Sequence, residues 1–103
     1  MKGSENQVEL AYELIDKAFE SINMGIEKTE SEISESTSAR RNAVRRQNVE
    51  DYKAAREWLT AKLNEEKYQD AEAIIKNRDV FDHWFNDIGI IRTIAEGRGN
   101  EVL

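Results

Sequence analysis

From the eighth residue onward, large apolar side chains recur at Val8, Tyr12, Ile15, Phe19, Ile22 and Ile26, at spacings of four, three, four, three and four. That rhythm is a heptad seam, the mark of a helix that packs lengthwise on another. Leu14 and Ala18 widen it, and Ser4 followed by Gln7 reads as a capping box at its start. The seam reaches Ile33 past a weak turn at Thr29 and fades in Ser34-Glu35-Ser36-Thr37-Ser38, which predicts a first helix over 5–35. Ser36 or Ser38 can cap a second helix over 38–63, whose apolar face reads Val44, Val49, Tyr52, Ala55, Leu59 and Leu63, with Trp58 on its flank and Asn64 as its boundary. A third helix over 65–76 carries Tyr68, Ala71, Ile74 and Ile75, with Glu65 and Glu66 complementing the dipole of its first turn. After the polar break Lys76-Asn77-Arg78, Asp79 can cap a fourth helix over 80–96. Val80, Phe81, Trp84, Phe85, Ile88, Ile91 and Ala95 fill one broad face of it. Gly97 ends that helix as a C′ glycine, and residues 97–103 are expected to fray.

Proline is absent and no β-branched alternation is sustained, so the fold class is all-α. A chain of 103 residues is one domain's worth and has to pool its apolar residues in a single interior. The predicted architecture is a long antiparallel helical hairpin plus two shorter helices, together forming a small bundle. Between Glu27 and Asp51 only Ile33, Val44 and Val49 are available to pack. That stretch should therefore project from the body as a polar hairpin tip, turning near residues 34–40.

Charge sharpens the picture. The net charge is −6, which argues against a general nucleic-acid binder. It is segregated: residues 1–38 carry −6, residues 39–62 carry +4 and residues 63–103 carry −4. Any role for positive charge belongs to the middle third. There Arg40, Arg41, Arg45 and Arg46 crowd the first turns of the second helix, a pattern that suits an arginine-rich RNA-binding helix over 39–48. The competing expectation is local. Across the hairpin those arginines would meet Glu27, Glu30, Glu32 and Glu35, and ion pairing would consume both sets. Each group alone opposes its own helix dipole, acids near a C-terminus and bases near an N-terminus.

Cysteine is absent, so thiolate nucleophiles and thiolate metal sites are excluded, and no glycine-rich phosphate loop or G-x-S-x-G turn is present. His83 lies one turn from both Asp79 and Asp87, a spacing read as a polar stripe, so no metal and no cofactor are expected. The run Arg78-Asp79-Val80-Phe81-Asp82-His83 resembles the R-x4-H signature of the HEPN ribonucleases, a family of helical bundles. The resemblance covers six residues and implies that Arg78 and His83 would act on a scissile phosphate. Residues five apart on one helix point about 140° from each other, so the pair converges only if the helix begins between them or across a dimer.

These observations point to a non-enzymatic protein–protein interaction module, an acidic accessory or inhibitor protein that binds a larger partner through its hairpin or its acidic helix face. One concrete version is the inhibition of a nucleic-acid enzyme by occupying its basic surface. The seam Val8, Tyr12, Ile15, Phe19, Ile22 and Ile26 marks expected self-association, as a dimer, on the premise that helices of this length outrun what one small body can cover. No apolar run is long enough for a membrane span and the first residues lack the apolar region of a signal peptide, so a cytoplasmic location is expected.

Overall fold

The structure is a computed structural model that describes residues 1–103. Two long helices, α1 (Glu5–Glu35) and α2 (Ala39–Leu63), form an antiparallel hairpin. Three short helices, α3 (Ala71–Lys76), α4 (Arg78–His83) and α5 (Ile88–Thr93), make a second layer with the turns that link them. The chain is all-α, and its hairpin carries the projecting polar tip that the sequence implies.

Capping sets the ends of the hairpin helices. Ser4 accepts a hydrogen bond from the backbone N–H of Gln7, whose side chain accepts from the Ser4 N–H at 3.0 Å, closing the capping box. Ser38 caps α2 by accepting from the Arg41 N–H at 3.3 Å.

Within the hairpin, α1 meets α2 along a seam that reads Asn42, Arg45, Val49, Tyr52, Arg56, Leu59 and Leu63, a three–four alternation throughout. Val49, Tyr52 and Leu59 are buried in it, and the face differs from the expected one at its start. Val44 is 59% exposed, because counting back from Val49 by four and three lands on Arg45 and Asn42. On α1 the buried line is Ala11, Leu14, Ala18, Ile22 and Ile26, since α1 is covered by α2 on one side and by α3 and α4 on the other. Ala11, Ala18, Ala55 and Ala71 have no exposed surface, and small side chains let the layers approach closely. Gly25 serves the same end: a Cβ there would stand 2.5 Å from the Tyr52 ring, which lies across α1 at this point. Burial, followed by the nearby Asp87 carboxylate, pushes the Tyr52 phenol above its ordinary pKa.

The second layer departs from expectation at two aspartates. The helix expected over 65–76 is split at Asp70, and the one expected over 80–96 is split at Asp87. Both residues are extended, at φ −112° and −97°, and both side chains cap the next helix, Asp70 accepting from the Glu72 N–H and Asp87 from the Gly89 N–H. A short carboxylate that can satisfy free N–H groups competes with helix continuation. Asp79, the expected cap, lies inside α4, which starts at Arg78. Phe81 and Phe85 are fully buried one turn apart, whereas Trp84, expected in the core, is 38% exposed because it falls off that face.

Nor is the C-terminus frayed. Gly97 adopts φ 86° and turns the chain, Gly99 packs directly beneath the Trp58 indole, and Val102 is buried. The Tyr68 hydroxyl donates to the Leu103 carbonyl at 3.2 Å. At the other terminus Lys2 pairs with the chain beside Asp70, donating to the Gln69 carbonyl at 2.7 Å and accepting from the Ala71 N–H at 2.8 Å. Both chain ends thus lock onto the segment that connects the two layers.

The long axis of the molecule is 52 Å against 24 and 18 Å across. The radius of gyration, 15.1 Å, exceeds the roughly 13 Å of a compact chain of this size. Between Ile26 and Val49 the one buried residue is Asn42, so the excess length is the hairpin tip.

The Tyr52–Gly25 contact yields a signed prediction. Gly25→Ala should destabilise the protein by about 1–3 kcal/mol despite alanine's better helix propensity, because the ring has no room to yield. In a Tyr52→Leu background the same change should become neutral or stabilising, by up to about 1 kcal/mol. Urea unfolding of the four proteins measures this coupling.

Candidate interaction surface at the hairpin tip

Asn42 organises the tip. Its side-chain amide donates to the Ser36 carbonyl at 3.0 Å and to the Ile33 carbonyl at 3.4 Å, so it caps the end of α1 from within α2. Its carbonyl oxygen accepts from the Arg45 guanidinium at 3.1 Å. Arg45 also pairs with Glu32 at 3.6 Å. Asn42 is absent from the candidates that charge and hydrophobicity single out, although its place in the three–four register of α2 marks it.

Arg45–Glu32 is the one ion pair across the tip. Arg40, Arg41 and Arg46 are exposed and form no ion pair, and neither do Glu27, Glu30 or Glu35. Cross-hairpin pairing therefore does not consume the two sets, contrary to expectation. Register gives the reason: of the four arginines only Arg45 falls in the three–four alternation with Val49 and Tyr52, whereas Arg41 lies at the edge of that face and Arg40 and Arg46 lie farther round the helix. The dipole conflict is left largely unrelieved. The first turn of α2 holds no acid, and the last turn of α1 holds no base.

Arg40, Arg41, Val44 and Arg45 together line a shallow depression of about 480 Å³. Beside it a polar recess is lined by Glu32, Glu35 and the turn Ser36-Thr37-Ser38 along with Arg41 and Arg45. The basic patch thus has an acidic border.

The seam expected to drive self-association lies mostly inside the chain. Ile22 and Ile26 are buried, and Val8, Ile15 and Phe19 are partly buried against the same core. Phe19 lies in the groove with Arg56, Thr60 and Ala61 of α2, and the Arg56 guanidinium donates to Asn23 of α1 at 2.8 Å. Tyr12 alone among the six is exposed, at 51%, where the hairpin register brings it level with the end of α2. The premise that one chain cannot cover this seam does not hold.

Arg78 and His83 stand at opposite ends of α4, a continuous helix, and so point about 140° apart. Arg78 pairs instead with Asp82 at 3.5 Å, and Asp82 also meets Lys17 of α1 at 3.2 Å. Within one chain, α4 therefore sets the two residues of the R-x4-H run on different faces. No group of three His, Cys, Asp or Glu side chains is placed to hold a metal ion. No helix is long and apolar enough to cross a membrane.

The chain matches no known family model, no curated protein and no solved structure. Its geometry and chemistry are what bear on function.

The Lys17–Asp82–Arg78 cluster predicts an acid-side pH effect. The Lys17 hydrogen bond, joined by the Lys17 and Arg78 charges, holds the Asp82 carboxyl below its ordinary pKa. A depressed carboxylate stabilises the fold above the ordinary carboxylate range and loses that contribution as the pH falls through its own lowered pKa. Asp82→Asn should therefore be less stable than wild type at pH 7, and the gap should close below about pH 4. Denaturant unfolding at several pH values checks the sign.

Proposed function

We propose that this chain is a non-enzymatic interaction module that docks onto a larger protein through the tip of its helical hairpin. The observation that carries the reading is the set of unpaired arginines. Two of the three, Arg40 and Arg41, stand in the first turn of α2, at the positive end of its dipole, and none of the three forms an ion pair with the acids of the tip. Such an arrangement costs stability, and an anionic partner would offset the cost. The body behind the tip, closed by both chain ends, is a rigid base for an arm of this kind.

An inhibitor that mimics nucleic acid would present acidic surface to a basic enzyme, whereas the tip presents arginine. The tip therefore favours a partner with acidic groups over a nucleic-acid enzyme. A second reading, RNA binding by the helix 39–48, draws on the same exposed Arg40, Arg41 and Arg46. It is disfavoured by the acidic border of the patch, Glu32 and Glu35, which a continuous phosphate backbone would have to cross and a short acidic segment would not.

The test compares two variants of the full chain in nuclease-treated extract. Arg40→Glu with Arg41→Glu should leave the far-ultraviolet circular dichroism of the body intact and abolish recovery of the partner. A control reversal on the body, Lys53→Glu, should keep it. Equal recovery by both variants would contradict tip docking.

A further inference from the structure

Val44 stands apart from the electrostatics. A β-branched apolar residue is 59% exposed between two turns of arginine, at a place where a solvated helix has no use for it. Its position on α2 explains what it could meet. Val44, Asn48, Asp51 and Ala55 follow one another at spacings of four, three and four and so share one stripe of the helix. Further along that stripe, α5 covers α2: Arg92 of α5 donates to Asn48 at 2.9 Å and pairs with Asp51 at 3.6 Å. Towards the tip the stripe runs on uncovered through Val44, with Arg40 and Arg41 one turn earlier. The depression is thus the open end of a face that this fold already uses for packing against another segment.

We propose that this open end recognises a short acidic protein segment bearing one apolar side chain. Val44 takes the apolar side chain, while Arg40 and Arg41 take carboxylates. This rests on the reading of the tip as the docking element. Arg45 is held by Asn42 and Glu32, so it forms the fixed wall of the site and leaves the two exposed arginines to adapt. Guanidinium groups suit carboxylates through paired, charge-assisted hydrogen bonds. Length is limited by the surroundings. Glu32 and Glu35 border Arg41 and Arg45, so an anion that continued past the patch would run onto acids. A peptide can place two or three charges and stop, which a nucleic-acid backbone cannot. The depression also lacks an aromatic ring on which a base could stack.

The experiment uses the isotope-labelled full chain and follows backbone amide shifts by nuclear magnetic resonance. Three probes are titrated: a synthetic peptide of glutamates with one central leucine, the same peptide with alanine for leucine, and oligouridine. The leucine peptide should move the amides of residues 39–48. Its affinity should fall at least about tenfold in Arg40→Glu with Arg41→Glu. Val44→Ser should weaken the leucine peptide about fivefold and leave the alanine peptide unchanged, a split that bulk charge attraction would not produce. Oligouridine moving these amides while the peptides do not would overturn the acidic-peptide chemistry and leave the tip as the docking element. Peptide shifts outside the tip, or none, would overturn the inference. If the arginine double variant also retained the cellular partner, the docking reading would fall with it.

Discussion

The hairpin, α3 and α4 are placed by the two-sided burial of α1, while α5 and the C-terminal turns close over α2. One helix serves as the common wall of a hairpin and of a second layer, which demands a broad face of modest side chains. Ala11, Ala18 and Gly25 provide it, and the bulk that fills the gaps comes from the other elements: Tyr52 from α2, Phe81 and Phe85 from the segment around α4. Burial of these aromatic and aliphatic groups is the main favourable term in a chain of this size. It stops where α1 passes beyond the second layer. From Glu27 onward α1 has only α2 for company, and beyond Val49 towards the tip α2 has little apolar surface to offer in return.

Two kinds of order therefore coexist in one molecule. The body is held by apolar burial, reinforced by its chain ends: Lys2 beside Asp70, and Leu103 held by Tyr68. The tip is held by helix propensity, by the Asn42 amide bridging to the end of α1, and by one ion pair. Working against it are charges of the wrong sign at both helix ends. A surface that opposes local stability without a structural return is where binding is expected to reside.

How much of the fold is legible in the sequence depends on the kind of signal. Ser4 with Gln7, Ser38 and Gly97 announce themselves through capping chemistry that works the same way in most surroundings. Asp70 and Asp87 do not, because an aspartate inside an apolar period looks like a surface residue until its neighbours' N–H groups are seen to need it. The patch itself is half visible. The arginines are plain, but their pairing is not, since sequence proximity across a hairpin says nothing about azimuth. Hydrophobicity places Val44 in the core, where the register of Val49 and Tyr52 places Arg45 instead. Trp84 and the tail turn on tertiary contacts, above all the Gly99–Trp58 approach, that no local pattern encodes.

The claim that the tip is an arm ordered separately from the body can be tested by native-state amide hydrogen exchange on the full chain. Exchange through small local openings should release the hydrogen-bonded amides of residues 29–47 at a free energy well below that of global unfolding. Amides of residues 11–26 and 49–61 should exchange only with the whole protein. If the tip amides are protected to the same level as those of the body, and share its dependence on denaturant, the hairpin is one cooperative unit and no separately ordered arm exists.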